Sequence, residues 1–326
     1  MRHAPLDPAR TDVGQCDELA ARAVTIVMGT CQGQRFLKEQ LDSLAAQTHR
    51  NWRLYASDDG STDETHAIVQ KFSVGLRGRN EVVLVNGPGK GWVANYLVAL
   101  CRAPEADYYA LCDQDDVWEP DKLERALLIL EKLSRERPAL YCSRTRVIDA
   151  AGRIIGLSPA FSRPPSFANA LVQNIGGGNT MVMNHAAREL LRAASPDIDT
   201  RAHDWWTYQL VSGAGGEVHY DVEPRLRYRQ HGSNMIGENN SFRARCERIQ
   251  LLFNGRFKQW TDNNIRALDR VRYLLTPENR TILDSFIELR RRPFPRNVAM
   301  LYRLGIYRQS WPGNISLIVA TALKKL

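Results

Sequence analysis

Four short apolar runs, each cut off by glycine, asparagine or aspartate, limit this chain of 326 residues more than any other feature. They are Ala23 to Met28, ending at Gly29; Arg53 to Ser57, running into Asp58; Val82 to Val85, ending in Asn86-Gly87-Pro88-Gly89; and Tyr108 to Leu111, running into Cys112-Asp113. Runs this short, bounded by turn residues, read as buried strands. The segments between them have helical period. Phe36, Leu37, Leu41, Leu44 and Ala45 share one face, Asp63 opens a second helix that reaches Phe72, and Trp92 to Cys101 forms a third. Repeated β-α units of this length predict an α/β domain with a mainly parallel sheet flanked by helices. Such sheets bind ligands beyond the carboxyl ends of their strands, so the residues that end each run carry the functional question.

The fourth run ends in Cys112-Asp113-Gln114-Asp115-Asp116-Val117-Trp118, three carboxylates within four residues. Clustered carboxylates repel unless a cation compensates them. A hard divalent ion with oxygen ligands does so and can in turn hold a diphosphate. Taken alone, the stretch also reads as a polar loop before a helix starting near Glu119-Pro120. The second run enters Asp58-Asp59-Gly60-Ser61-Thr62-Asp63, where Gly60 permits a tight turn. Asp58 and Asp59 can accept hydrogen bonds from a pyrimidine imide or ribose hydroxyls, although Asp-Gly-Ser also spells an ordinary turn and helix cap. Gly29-Thr30-Cys31-Gln32-Gly33 after the first run is equally a strand-to-helix turn or a ligand loop. All three at successive strand ends make coincidence a poor explanation.

Charge divides the chain. From Ser241 onward lie 17 basic and 6 acidic residues, a balance of +11 that leaves −3 for the first 240 within a net charge of +8. Arg290-Arg291-Arg292, Arg296, Arg303, Arg308 and Lys324-Lys325 alternate there with Trp260, Phe294, Tyr302, Tyr307 and Trp311. That pattern suits an anionic membrane surface, or equally a solvated helical face with its aromatics turned inward. No nucleic-acid-binding motif is visible, and nucleic acid is not an expected partner. The longest apolar stretch, Ile315 to Leu323, is too short to cross a bilayer, and residues 1–22 lack the apolar core of a signal peptide. Six cysteines without CxxC spacing fit a reducing compartment. The expected location is the cytoplasm, with the basic region peripheral to the inner face of the cytoplasmic membrane.

The three strand-end motifs, with Gln47-Thr48 before the second strand, resemble those of the family 2 glycosyltransferases, which have the GT-A fold. The resemblance runs from about Ala23 to Gly237. Its Asp-Gln-Asp-Asp-Val-Trp version is most similar to a bacterial rhamnosyltransferase-like branch that builds O-antigens and other cell-surface polysaccharides. Thr30-Cys31-Gln32-Gly33 departs from the family's frequent Thr-Tyr-Asn-Gly. The resemblance implies a GT-A catalytic domain over 23–240, after an N-terminal extension (1–22) and before a basic helical C-terminal region (241–326). It also implies donor contacts from Thr30, Asp58, Asp59 and Asp113, and a divalent ion (Mg²⁺ or Mn²⁺) on Asp115.

The second half supplies further candidates. Three glycines in Asn174-Ile175-Gly176-Gly177-Gly178-Asn179-Thr180 expose backbone amides to a sugar or phosphate, and the resemblance puts Gly177 and Gly178 near donor sugar and acceptor. In His203-Asp204-Trp205-Trp206, Asp204 is a helix N-cap by its residue type and matches the family's catalytic base. Trp205 and Trp206 offer ring faces to a sugar, at least one of them being core. Tyr228 to Gly237 is similar to a recurrent segment of the same branch. There His231 would join Asp115 on the metal and Arg229 would neutralise phosphate.

These assignments describe an inverting transferase that moves a sugar from a nucleoside diphosphate donor to a saccharide or lipid-linked saccharide acceptor. The first choice of donor is dTDP-L-rhamnose. A UDP-sugar donor on the same fold, a nucleotidyltransferase, and a non-catalytic membrane-associated interaction module remain alternatives. The Gln-x-x-Arg-Trp motif of processive synthases is absent.

Overall fold

The computed structural model describes residues 18–194, 197–231 and 256–326. Most of the N-terminal extension, the 240/241 boundary and the Gly232 to Gly237 part of the recurrent segment lie outside the described residues. The four apolar runs form strands β1 (Val24–Thr30), β2 (Trp52–Asp58), β3 (Val82–Asn86) and β4 (Tyr108–Cys112). Helices α1 (Leu37–Ala45), α2 (Thr65–Gly75) and α3 (Trp92–Arg102) connect them. β2 pairs with β1 and β3, and β1 with β4, all parallel. The chain winds outward through β1, β2 and β3, then returns to place β4 on the other side of β1. That reversal opens a crevice at the carboxyl ends of β1 and β4, where a parallel sheet accepts a ligand.

After β5 (Val117–Trp118) and α4 (Lys122–Leu130) come β6 (Ala139–Ser143), β7 (Arg146–Ile148), β8 (Ile154–Leu157) and the short helix α5 (Phe167–Ala170). β9 (Val182–Asn184), α6 (His185–Ala193), α7 (His203–Gly213), β10 (Glu217–Asp221) and β11 (Leu226–Arg229) follow. The main sheet has the order β10-β6-β9-β4-β1-β2-β3, and only β9 runs against its neighbours. A second sheet, β5-β11-β7-β8, stands beside it. Period-two alternation splits the core in two. Val24, Ile26 and Met28 of β1 face Leu37, Leu41 and Leu44 of α1, whereas Val27 joins Tyr109, Leu111 and Trp206 on the other side.

The basic region is helical: α8 (Arg256–Arg270), α9 (Pro277–Arg291), α10 (Arg296–Arg303) and α11 (Trp311–Ala322). Thr276 caps α9 by accepting a 3.2 Å bond from the Asn279 amide, and Pro277 occupies its first turn. These helices bury Leu268, Leu283, Phe286, Leu301 and Leu317 in the same cluster as Val27 and Tyr109. They complete the second core. No described helix is long and apolar enough to cross a membrane.

Candidate active site

The ends of β1 and β2 meet in register, Thr30 opposite Asp58. Asp58 is saturated by the protein. Its Oδ1 accepts from the hydroxyls of Thr30 (2.8 Å) and Ser61 (2.6 Å), and its Oδ2 from the Ser61 amide (2.8 Å), with His66 Nε2 at 2.9 Å. Burial pushes this carboxyl up, but the bonds from Ser61, His66 and Thr30 outweigh it and hold it below the usual range. Gly60 makes the turn possible at φ +94°, a conformation that side chains resist. Asp59 accepts from the amides of Gly89 and Gly91, both at 2.7 Å, and so fastens the loop after β3. Both acids therefore shape the crevice wall. Gln114 clamps that wall to the acidic loop through paired bonds with the Cys31 backbone at 2.9 and 2.8 Å. Gln47 is structural too: it donates to the Glu119 carbonyl at 2.8 Å and accepts from the Leu123 amide at 3.1 Å.

Beyond β4, Asp113, Asp115 and Asp116 bring one ligand atom each within 4.8 Å of one another. Their surroundings separate their roles. Asp116 is fully buried, with Oδ2 accepting from Asn179 Nδ2 at 2.6 Å and Oδ1 from the Arg229 amide at 3.0 Å. Asp113 lies 2.6 Å from the Tyr96 hydroxyl. Burial, then repulsion from Asp115, pushes its carboxyl up to about 7. Asp115 pairs with His231 Nε2 at 2.8 Å, and the imidazole rests against Phe36 at a ring separation of 4.8 Å. Beneath the cluster, the buried amine of Lys122 has no hydrogen-bond partner and sits 3.4 Å over the Trp118 ring. Burial pulls it down to about 7, against the attraction of Cys112, Asp116 and Asp113. Oxygen donors that repel one another, with an imidazole alongside, are a donor set that fits a hard divalent cation. Asp115 and His231, paired at 2.8 Å, are the side chains that would hold it, with Asp113 beside them.

The Arg229 guanidinium, expected to face a diphosphate, is buried instead. It donates to the Asp115 carbonyl at 2.9 Å, pairs with Glu39 and lies 4.8 Å from the Phe36 ring centre. It positions the acidic loop from below, and a planar five-donor group suits that bracing.

The glycine loop and α7 form the facing wall. Asp204 lies in the first turn of α7 with 5% of its surface exposed; Ala202, not Asp204, holds the N-cap position. It accepts a 2.6 Å bond from the Trp205 amide, with further bonds from the Gly178 amide and the Asn174 side chain. Burial nevertheless pushes it up to about 6. The loop approaches so closely that a Cβ on Gly178 would fall 2.3 Å from His203 Nε2. His203 stacks on Tyr96 at 4.1 Å and meets Trp92 edge-on at 5.3 Å, and neither ring nitrogen has a hydrogen-bond partner. Burial holds it neutral by pulling its pKa down to about 3. The ring faces expected of Trp205 and Trp206 are not offered to a sugar. Trp206 is wholly buried in the core, and Trp205 is buried with its indole N–H on the Ala170 carbonyl at 2.7 Å.

The structure thus brings Asp113, Asp115, His231, the glycine loop and Asp204 to one crevice, with Thr30, Asp58 and Asp59 along its edge. Sequence reasoning passed over Tyr96, Lys122, His203 and Gln114. His203 had a signal in its place beside Asp204, and Gln114 in its place inside the acidic motif. Lys122 reads like any solvent-facing helix residue, and Tyr96 like one apolar position of α3.

Comparison with known proteins agrees with this arrangement. The glycosyl transferase family 2 model matches residues 25–195. The dTDP-rhamnosyl transferase RfbG of Shigella flexneri is 27% identical over 250 residues, covering 74% of this chain and 84% of that protein. The putative glycosyltransferase EpsE of Bacillus subtilis is 33% identical over 109 residues, 33% of this chain and 38% of that one. Among solved structures, residues 1–349 of Staphylococcus aureus TarS with UDP-GlcNAc match at a TM-score of 0.50 and 17% identity, covering 87% of this chain and 93% of that one. At that identity the likeness is one of fold, the GT-A arrangement. With more than half of its length matched by the family model and the motif residues gathered at one crevice, the chain belongs to glycosyl transferase family 2.

Proposed function

We propose that this transferase moves L-rhamnose from dTDP-rhamnose onto a saccharide or lipid-linked saccharide in cell-surface polysaccharide synthesis, with inversion at the anomeric carbon. One observation carries the chemistry. Asp204 is a buried carboxylate with a pKa raised to about 6, backed by the Gly178 amide and facing the crevice that holds the acidic cluster. A base near the operating pH is half-ready to take a proton, and a sugar hydroxyl needs one removed as it attacks. The acceptor oxygen bonds to the anomeric carbon on the face opposite the leaving group. The carbon–oxygen bond to the nucleoside diphosphate breaks, and the hydroxyl proton passes to Asp204. Asp113 receives a ribose hydroxyl, and the exposed Gly177 backbone lets the sugar approach, while Gly178 is buried against His203 and gives its amide to Asp204. Thr30, Asp58 and Asp59 hold the turn against which the base lies, and Arg229 keeps the Asp115 loop in place. A divalent cation, Mg²⁺ or Mn²⁺, held by Asp115 with His231, would stabilise charge on the departing diphosphate.

The choice of dTDP-rhamnose rests on the similarity to the Shigella rhamnosyl transferase. Free thiols at Cys31, Cys101, Cys112 and Cys142 support a cytoplasmic site of action. The test is ligand-induced thermal stabilisation by dTDP, UDP and their sugars, with Mn²⁺, Mg²⁺ or EDTA. A ligand at about 100 times its dissociation constant adds roughly 2.7 kcal/mol to the native state. A metal-dependent shift with dTDP that Asp115→Ala abolishes supports the reading. A shift with UDP alone redirects it to another donor, and no shift with any nucleoside diphosphate overturns it.

A further inference from the structure

The helix α11 has two apolar faces, and the fold uses one of them. Leu317, Ala320 and Thr321 are buried in the second core. On the opposite side Trp311, Ile315, Val319 and Leu323 are exposed by 76%, 42%, 39% and 51%. Their four-residue spacing stacks them along one line of the helix surface. Nearby in sequence, Phe294 before α10 and Tyr302 within it are exposed by 65% and 67%. Folded proteins rarely leave such a stripe to water unless something covers it.

Charge says what covers it. From Pro293 to Leu326 the sequence has no aspartate or glutamate and has five basic residues. Of these, Arg296, Arg303 and Lys324 are exposed. The geometry points to α10 and α11 as a docking surface for an anionic lipid bilayer, with the stripe entering the interface and the basic residues meeting phosphate headgroups. A second copy of this chain would set the same cations against themselves, which disfavours a symmetric dimer on this face. Twelve residues are too few to span a bilayer, so the helix lies along it.

The surface is tied to the active site. The Gln309 amide donates to Gln173 Oε1 at 2.7 Å, Gln309 Nε2 to the Arg163 carbonyl at 2.9 Å, and Asn169 Nδ2 to the Tyr307 carbonyl at 2.9 Å. The residue after Gln173 is Asn174, whose side chain bonds Asp204. A bilayer that orients α11 therefore orients the proposed base as well, as a lipid-linked acceptor requires. The docking itself does not depend on which donor the enzyme uses.

The test is flotation of the whole chain with vesicles of phosphatidylcholine alone or mixed with phosphatidylglycerol. Binding should need the anionic lipid and weaken as salt rises. Val319→Asp with Leu323→Asp should lower affinity about tenfold or more. Replacing Arg296, Arg303 and Lys324 by glutamine should cost about fivefold per charge. Both variants change exposed positions, and an unaltered circular-dichroism melt and nucleotide-induced thermal shift show that the fold is kept. No binding by the wild type, equal binding to neutral vesicles, or undiminished binding by the stripe variant overturns the proposal. A dimer that the stripe variant dissolves at unchanged vesicle affinity assigns the face to a second copy instead. Vesicle binding without any nucleotide-induced shift keeps the surface and rejects the proposed reaction.

Discussion

Asp58 and Asp204 are both nearly buried carboxylates at the crevice, and their environments drive them in opposite directions. Asp58 receives bonds from Thr30, Ser61 and His66 that outweigh its burial and hold it ionised. Asp204 also accepts hydrogen bonds, yet burial dominates and pushes it up to about 6. Within the acidic cluster the carboxylates differ instead in their partners, while burial pushes both Asp116 and Asp113 up. Asp116 has both oxygens engaged by Asn179 and Arg229, whereas Asp113 and Asp115 have one protein partner each among the bonds described. Where burial outweighs the bonds, as at Asp204, the carboxylate's affinity for a proton rises.

The largest expected effect separates the two acids by rate. Asp204→Asn should lower turnover by about 10²–10⁴-fold while leaving donor affinity in place. A fully active variant would remove Asp204 from the mechanism and collapse the distinction. Next in size, Asp58→Ala should destabilise the fold by about 2–3 kcal/mol in urea denaturation, because its buried donors lose their acceptor. Loss of donor binding without loss of stability would instead make Asp58 a ligand contact. The smallest effect is a pH linkage. The folded pKa of Asp204 lies above its ordinary value of 3.8, so protonation favours the native state. Its stabilising contribution is complete below about pH 4 and is lost as pH rises through about 6. Relative to Asp204→Asn, the wild type should lose on the order of 1–2 kcal/mol between those limits. Over the same range its activity should rise. A stability difference that is flat with pH would place Asp204 in a better-solvated setting than its burial indicates.

Much of the scaffold was legible beforehand. β1 to β4 and the helices between them follow from period-two and helical burial patterns, which are local properties of the chain. The reversal at β9 was not, because Val182–Asn184 is too short to announce that it pairs antiparallel with both β4 and β6. The second sheet was hidden for the same reason, since β5 is only Val117–Trp118. Within the site, the placing of Asp204 and Asp115 at the crevice was legible from motif position. Lys122 under the cluster and Tyr96 between Asp113 and His203 were not, since nothing local distinguishes them from surface and core residues. Arg229 was assigned to phosphate by its chemistry, and of the two tryptophans at least one was expected in the core; burial takes all three away from a ligand.

By itself, the sequence determined the order of strands and helices, the strand ends at which acids and glycines gather, and the basic, acid-free final segment. All of these depend on residue type and short-range spacing. Tertiary structure alone decided how the carboxylates differ in burial and in partners. That difference depends on desolvation and on partners brought from distant segments: Asn179 and Arg229 to Asp116, Gly178 and Asn174 to Asp204. It likewise decided that α11 buries Leu317 and leaves Trp311 to the solvent, because the core it packs on has room for only one of its two apolar faces.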